Sequence, residues 1–147
     1  MGSPELASLY QQVILDHSKR KNGFGLLDGA AAESHQLNPT CGDEITLRLH
    51  LADDDTIERI SWEGAGCSIS MASASLLHDL VAGLTRDEAR ERIALFREMM
   101  RSKGEGVEDD EPLGDAAALE GVSRYVARVK CAMLGWVAFE DTLTLSS

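Results

Sequence analysis

The sequence predicts an α+β domain in which a small antiparallel sheet is packed by helices. From Glu44 to Leu51, apolar and polar side chains alternate, a pattern typical of a strand with one buried face. Amphipathic stretches with helix-start signals occur at the N-terminal end and again after Thr85. The chain has 147 residues, of which 44% are hydrophobic, so we expect one domain with a core over residues 1–147 and not two domains.

The first predicted element is a helix that begins at Ser3-Pro4-Glu5, which offers an N-cap, a proline at the first helical position and an acid in the first turn. Its apolar residues recur at helical spacing and are Leu6, Tyr10, Val13 and Ile14. The basic run Lys19-Arg20-Lys21 suits a helix C-terminus, and Asn22-Gly23 predicts the stop. A glycine-containing loop then extends to about Ala31.

A hairpin forms the centre of the predicted sheet. Residues 32–37 are a candidate short strand, and the alternating strand from Glu44 follows them. Asp53-Asp54-Asp55 predicts a solvated turn, after which Thr56–Trp62 is the returning strand. A glycine turn at residues 64–66 then leads to Cys67, so Cys41 and Cys67 flank the same end of this hairpin.

Three more elements are expected after Cys67. A helix rich in small residues covers about 68–81, and Thr85-Arg86-Asp87-Glu88 is a capping box that opens a helix ending near Lys103-Gly104. The apolar stripe of this second helix consists of Ala89, Ile93, Phe96 and Met100. Residues 105–120 hold seven acids and predict a mostly exposed connection with a helical turn around 115–119. The last stretch, 129–143, is apolar nearly all round and predicts a buried helix with Cys131 in its first turn.

Charge and cysteine content narrow the classes of function. The net charge of −11 and the pI near 4.7 argue against nucleic acid or an anionic membrane as a partner. Nothing in the sequence resembles a signal peptide or a membrane span, so we expect a cytoplasmic, reducing location. Three cysteines are an odd number without secretory context, so they indicate buried thiols or metal ligands and not a disulfide framework.

The cysteines and one aspartate form a candidate zinc site. Cys67 and Cys131 each stand at a predicted helix start, where the helix dipole favours a thiolate. Cys41 and Asp43 are two residues apart, and in extended chain such residues face the same side. Together the four residues match the preferences of a tetrahedral zinc. The alternative is that each cysteine is a small core residue, which is the commoner role for a single cysteine in an apolar setting.

Charged neighbours of Cys131 are a second feature of this candidate site. Three thiolates and a carboxylate around a dication leave a formal charge of about −2, which Arg128 and Lys130 could offset. The alternative for these two side chains is an ordinary solvated basic pair. Among the ligands, Asp43 is the hard oxygen donor among soft sulfurs and is expected to be the easiest to displace. His50 and His78 are expected to be structural or solvated.

With these residues assembled, the chain resembles the SufU branch of the IscU-type iron–sulfur assembly family. The resemblance spans nearly the whole length and rests on several motifs in the same order. These are Leu9-Tyr10-Gln11-Gln12-Val13-Ile14-Leu15-Asp16-His17, Asn38-Pro39-Thr40-Cys41-Gly42-Asp43, Gly66-Cys67-Ser68-Ile69-Ser70 and Arg128-Val129-Lys130-Cys131-Ala132. It implies an α+β fold with a three-stranded antiparallel sheet. It also implies that the metal ligands are Cys41, Asp43, Cys67 and Cys131, with Cys41 as the sulfur acceptor. We further expect Asp43 to tune the metal, Cys67 and Cys131 to hold it, and Arg128 to act as a charge partner.

Two features place the chain within the resembled family. Scaffold-type members carry a histidine directly before the third cysteine, where this chain has Lys130. The interval between Cys67 and Cys131 is longer than in scaffold-type members, with an insertion within about 85–122. One departure is Val126, where the family pattern has proline, which leaves only the entry to the last helix in question.

The resemblance implies a zinc-dependent sulfurtransferase. Its expected partners are a SufS-like, pyridoxal-phosphate cysteine desulfurase, which supplies persulfide sulfur, and a downstream Suf cluster-assembly scaffold. In the family, a histidine of the desulfurase takes over at the zinc. An iron–sulfur cluster scaffold is the alternative, because three thiolates and a carboxylate can equally hold iron. A domain in which zinc only stabilises the fold is a third possibility.

Overall fold

The computed structural model describes residues 4–146, and the side chains of residues 10–146. In chain order its elements are α1 (Pro4–Arg20), β1 (Ala32–Asn38), β2 (Asp43–Leu51), β3 (Ile57–Ala65), α2 (Ser68–Val81), α3 (Arg86–Met100), a 3₁₀ segment (Glu111–Arg124) and α4 (Val126–Leu145). This is the predicted α+β architecture. The predicted N-cap Ser3 and the side chain of Leu6 lie outside the described residues.

The sheet has three antiparallel strands in the order β1-β2-β3, as expected. One difference concerns β3, which continues past Trp62 to Ala65. Gly64 pairs with Ile45 inside the ladder and is not part of a turn. A side chain there is excluded, because a Cβ on Gly64 would lie 2.3 Å from the carbonyl oxygen of Glu44. The strand therefore delivers the chain directly to Cys67.

Helices α2 and α4 pack against each other closely because small residues line their contact. The Cβ of Ala74 would lie only 3.6 Å from a Cβ on Gly135. The hydroxyl of Ser73 donates to the carbonyl oxygen of Ala132 at 2.6 Å, and the indole of Trp136 donates to the Ser73 hydroxyl oxygen at 3.0 Å. The small residues that follow Cys67 thus permit this close packing. This packing fixes the distance between the N-terminal part of α4 and the sheet.

The insertion region starts as predicted. Thr85 caps α3 through a capping box, in which its hydroxyl accepts from the Glu88 amide at 3.1 Å and its own amide donates to the Glu88 carboxylate at 3.0 Å. The predicted apolar stripe of α3 is buried throughout, and it consists of Ala89, Ile93, Phe96 and Met100. Phe96 stacks on Trp136 of α4 with ring centroids 3.9 Å apart.

The prediction of a mostly exposed connection at residues 105–120 is wrong for its second half. Residues 111–124 form the 3₁₀ segment, whose two parts meet at the positive-φ residue Gly114. Its apolar side chains are buried, and they are Leu113, Ala116, Ala117, Ala118, Leu119 and Val122. The acids Glu111 and Asp115 face outward. The acidic content masked this small apolar face, because alanines carry little hydrophobic signal in a charged stretch.

The start of α4 also differs from the prediction. The helix begins at Val126, with extended Tyr125 as N-cap, so Cys131 lies in the second turn and not the first. The first turn was not apparent in the sequence because Val126 is 74% exposed and contributes nothing to the buried face. The absence of proline at position 126 does not prevent the helix from starting there. Within the described residues, no helix is long and apolar enough to cross a membrane.

Candidate metal centre

Cys41 lies in the turn that joins β1 to β2. Asn38 and Asp43 are paired at the base of this turn, and the Gly42 amide donates to the Asn38 carbonyl oxygen at 2.8 Å. Gly42 has φ of +73°, a conformation that glycine adopts without strain. The chain is therefore tightly turned between Cys41 and Asp43, and the two side chains converge for this reason and not because the segment is extended. The Cys41 residue is exposed.

Cys67 is the N-cap of α2, as predicted. Its backbone has φ −70° and ψ 166°, and its amide donates to Oδ1 of Asp43 at 3.0 Å. Its sulfur lies 3.6 Å from Oδ2 of Asp43 and 3.6 Å from the hydroxyl oxygen of Ser70. The positive end of α2 therefore faces an anionic group, as the helix dipole favours.

Cys131 is completely buried, with 0% exposure. Its Sγ lies 3.3 Å from Sγ of Cys41 and 3.8 Å from the carbonyl oxygen of Ala127. Cys131 is in the second turn of α4 and not at the helix N-terminus. The close packing of α4 on the sheet therefore places Cys131 at the site. Burial raises the pKa of its thiol strongly, and hydrogen bonds with Cys41, Asp43 and Cys67 raise it further.

Asp43 is a carboxylate with 1% exposure at the centre of the group. Besides the Cys67 amide on Oδ1, it accepts a short hydrogen bond on Oδ2 from the hydroxyl of Ser70. Burial alone would raise the pKa of this carboxyl, but hydrogen bonds from Ser70, Cys131 and Cys67 outweigh burial and lower it. A Cβ on Gly66 would lie 2.5 Å from Oδ1, so the absence of a side chain there makes room for the carboxylate.

The geometry fits a metal ion. Ligand atoms of Cys41, Asp43 and Cys131 all lie within 4.8 Å of one another. The fourth predicted ligand, Cys67, is not part of this close group and contacts it through Asp43, with its sulfur 3.6 Å from Oδ2. A tetrahedral zinc with Zn–S bonds of about 2.3 Å separates its sulfurs by about 3.8 Å. The 3.3 Å between the sulfurs of Cys41 and Cys131 is close to that spacing. Soft sulfurs with one oxygen are donors that zinc accepts, so the residues present suit this ion.

Arg128 and Lys130 lie on the exposed side of the N-terminal part of α4. Within residues 10–146, no hydrogen bond or ion pair of the Arg128 side chain occurs. Its neighbour Ala127 has its carbonyl oxygen 4.0 Å from Sγ of Cys41, so the Arg128 backbone is close to the site. Exposed apolar side chains stand nearby on the chain, and these are Leu37, Tyr125 and Val126.

Two residues of the site were not found from the sequence. Asn38 is 7% exposed, and its amide donates to Sγ of Cys41 at 3.3 Å. Ser70 is 3% exposed and holds Asp43. The available signals were local: asparagine before Pro-Thr favours a side-chain turn, and a serine three residues after an N-cap lies on the first helical turn. Neither signal indicates a metal site without the fold.

The two buried histidines are structural, and neither contacts a cysteine. Nδ1 of His17 hydrogen-bonds with the hydroxyl of Ser75 at 2.7 Å, and Nε2 of His50 with the hydroxyl of Ser61 at 2.8 Å. The expectation that His50 is structural or solvated is confirmed, because His50 is buried and has a structural role. His78 is partly buried and pairs with the adjacent Asp79.

Comparison with known proteins shows the family to which the chain is similar. Residues 9–132 match the family described as NifU-like N terminal domain. The zinc-dependent sulfurtransferase SufU of Bacillus subtilis (strain 168) is 44% identical over 135 residues, which cover 92% of this chain and 89% of the relative. The iron–sulfur cluster assembly scaffold protein IscU of Streptococcus pyogenes serotype M1 is 40% identical over 148 residues, with 100% and 90% covered.

Solved structures show the same fold. The crystal structure of FiSufU from Fervidobacterium islandicum AW-1, proposed to be an iron–sulfur cluster assembly scaffold of the SUF system, superimposes with a TM-score of 0.83. It is 34% identical, and the match covers 97% of this chain and 99% of that one. A crystal structure of an uncharacterised protein gives a TM-score of 0.84 at 39% identity, with 93% and 98% covered.

Proposed function

Because the chain belongs to the family of NifU-like N-terminal domains, we propose that it is a zinc-dependent sulfurtransferase. It accepts persulfide sulfur from a SufS-like, pyridoxal-phosphate cysteine desulfurase and passes it to iron–sulfur cluster assembly. The observation that carries this proposal is the asymmetry of the site: one exposed cysteine, Cys41, contacts a buried cysteine, Cys131, beside a buried carboxylate, Asp43.

The proposed ligands of the zinc are Cys41, Asp43, Cys67 and Cys131. When bound, the zinc would keep the cysteines as thiolates and contribute its binding energy to the folded state. The buried position of Cys131 suits a ligand that holds the metal, whereas Asp43, the one oxygen donor among sulfurs, suits a ligand that tunes it. Cys41, at the surface, suits a ligand that a partner can reach. The similarity to a relative that is named zinc-dependent supports the choice of metal.

The proposed sulfur transfer is a thiol exchange at Cys41. Its thiolate attacks the outer sulfur of the desulfurase persulfide, so that a new S–S bond forms on Cys41 while the desulfurase S–S bond breaks. The desulfurase cysteine leaves as a thiolate, and no net oxidation or reduction occurs. An acceptor for this reaction has to be exposed, and Cys41 is the exposed one of the three cysteines.

Arg128 is the proposed charge partner of Cys41. Its side chain is exposed and lies on the same helix turn as Ala127, which borders the Cys41 sulfur. Persulfide exchange passes negative charge between two sulfurs, and a nearby guanidinium favours the charged forms. Lys130 adds a second positive charge on this surface, in a chain whose net charge is −11.

The scaffold function remains the alternative, because some relatives carry that name. Two features favour the sulfurtransferase. Lys130 stands where the family resemblance places a histidine in scaffold-type members. The segment that contains α3 and the 3₁₀ segment corresponds to the insertion that the resemblance assigns to the SufU branch.

The experiment that tests the proposal combines metal analysis with turnover. Protein purified without added metal should contain about one zinc per chain and little iron or acid-labile sulfide. This protein should stimulate alanine production by a SufS-like desulfurase, and chelator-treated protein should not. Substantial iron with sulfide at this site, and little zinc, would instead support the scaffold function. Zinc without any stimulation would indicate a metal that only stabilises the fold.

A further inference from the structure

We infer that Asn38 is a positioning residue that holds the sulfur of Cys41 in the orientation in which it accepts a persulfide. The inference rests on the proposed function and extends it to a residue outside the ligand set. Asn38 is the last residue of β1 and is 7% exposed. Its side chain therefore contacts the site from the protein interior.

Three hydrogen bonds connect Asn38 to the turn that carries Cys41. Its carbonyl oxygen accepts from the Gly42 amide at 2.8 Å, and its Oδ1 accepts from the Thr40 amide at 3.2 Å. Its Nδ2 donates to Sγ of Cys41 at 3.3 Å. The first two bonds shape the backbone of the turn, and the third reaches the reacting atom itself. One buried side chain therefore fixes both the acceptor cysteine and the loop beneath it.

The other neighbours of the Cys41 sulfur cannot replace this contact. In the described structure these are the thiol of Cys131 at 3.3 Å and the carbonyl oxygen of Ala127 at 4.0 Å. A carbonyl oxygen has no proton to donate, and Cys131 is a proposed metal ligand. Among the described residues outside the proposed ligand set, the side-chain amide of Asn38 is thus the hydrogen-bond donor that contacts Sγ of Cys41. A hydrogen bond to a charged acceptor is stronger than one between neutral groups. The hydrogen bond from Asn38 is therefore stronger when Cys41 is a thiolate or a persulfide anion.

Loss of this donor should affect the transfer step and not the docking of the partner. Without the Nδ2 contact, a Cys41 side chain that is not held as a ligand can rotate among its rotamers, and fewer encounters have the sulfur aligned for attack. Asn38 is buried, so its replacement leaves the surface that meets a partner unchanged. We therefore expect a lower rate of persulfide formation at an unchanged half-saturating concentration of partner.

The test uses Asn38→Asp in the zinc-loaded protein. Aspartate has the same shape and retains an oxygen for the Thr40 amide, but it lacks the donor to Cys41. Because aspartate also adds a negative charge beside the sulfur, the uncharged Asn38→Ser is measured in parallel and has to show the same defect. The matched control is Gln36→Glu, which makes the same amide-to-acid change two residues earlier on β1, where the Gln36 amide donates to Ser34 at 3.0 Å. The rate of persulfide formation on Cys41 is followed by mass spectrometry, once with the desulfurase and once with glutathione persulfide as a small donor. In the second case the sulfane sulfur moves to Cys41 and glutathione leaves as its thiolate.

We expect Asn38→Asp to slow persulfide formation at least about tenfold with both donors, at full zinc content, while Gln36→Glu behaves as wild type. Formation at the wild-type rate in Asn38→Asp would overturn the inference, as would a defect seen with the desulfurase alone. If Asn38→Asp does not fold or loses zinc, the uncharged Asn38→Ser takes its place, because serine can form the same turn with the Thr40 amide but does not reach the sulfur. Wild-type protein that forms no Cys41 persulfide would contradict the proposed function instead.

Discussion

The sulfur atoms of Cys41 and Cys131 lie 3.3 Å apart, although 90 positions separate them in the sequence. One belongs to an exposed turn of the sheet, and the other is fully buried on α4. Their contact therefore joins the surface to the core and depends on the packing of α4 against the sheet. A metal held between them would link these two parts of the fold, which leads to the first prediction.

Cys131→Ser should lose most of the zinc and at least about 2 kcal/mol of unfolding free energy, because metal-binding energy is also folding energy. Denaturant unfolding and metal analysis of the same preparation measure both effects. Chelator-treated wild type serves as the control and should match the untreated variant closely. Full zinc content in Cys131→Ser would show that this cysteine is not a ligand.

Asp43→Ala should separate metal binding from sulfur transfer. Three sulfurs still hold zinc, so metal content should persist while stimulation of the desulfurase falls at least about tenfold. The variant also leaves the Cys67 amide and the Ser70 hydroxyl without their acceptor, which should cost about 1–3 kcal/mol of stability. Metal analysis, unfolding curves and desulfurase turnover measure the three quantities. Desulfurase turnover at the wild-type level with Asp43→Ala would show that Asp43 has no role in sulfur transfer.

Gly66→Ala should disturb the site although it changes no ligand. The new Cβ would lie 2.5 Å from Oδ1 of Asp43, so the carboxylate has to move. We expect zinc to transfer to a chromogenic chelator several-fold faster than from wild type, because the ligand is displaced. Gly121→Ala is the matched control, since nothing lies within 4 Å of a Cβ there. Equal zinc transfer from both variants would mean that Asp43 does not hold the metal.

Stability should decrease in mild acid because of His50. Burial lowers its pKa, Arg59 and Arg48 lower it too, and Glu58 opposes them. The folded state therefore disfavours the protonated ring, whereas the unfolded chain binds a proton with a pKa of about 6.5. His50 therefore contributes fully to the free energy of unfolding above about pH 6.5. This contribution is lost as the pH falls from about 6.5 towards the lowered pKa that His50 has in the folded state.

The measurement compares unfolding free energies at about pH 7.5 and about pH 5.5 for wild type, His50→Gln and His35→Gln. His50→Gln should lose less stability on acidification than wild type, by up to about 1.4 kcal/mol for each pH unit below about 6.5. His35 is exposed, and its pair with Glu44 at 3.2 Å lies at the surface, where such a pair contributes little to stability, so its variant should follow wild type closely. Parallel curves for all three proteins would show that His50 does not contribute.

Local patterns predicted most of the fold. The alternation in β2, the capping box of α3 and the position of Cys67 before α2 all depend on neighbouring residues and are confirmed. The errors arose where tertiary contacts decide. The first turn of α4 is exposed and left no apolar periodicity, and the alanines of the 3₁₀ segment are buried only because other elements cover them.

The approach of three candidate ligands to one another agrees with the sequence, but the backbone geometry that brings them together was not predicted. Cys41, Asp43 and Cys131 meet as the resemblance implied, yet Cys41 and Asp43 converge through the positive-φ turn at Gly42, which the extended-chain argument did not anticipate. The supporting roles of Asn38 and Ser70 follow from contacts between β1, β2 and α2. Such contacts depend on the sheet register and on helix packing, and no short sequence pattern specifies them.

The central claim is that Cys41 is the sulfur acceptor, and the most direct test is mass spectrometry of the protein after incubation with a SufS-like desulfurase and cysteine. Wild type should gain one sulfur, about 32 Da, on the peptide that contains Cys41. Cys41→Ala should gain none there and should fail to stimulate the desulfurase, while Thr40→Ala, an exposed change at the adjacent residue, should behave as wild type. A Cys41→Ala protein that stimulates the desulfurase to wild-type turnover, or a persulfide found only on Cys67 or Cys131, would contradict the account.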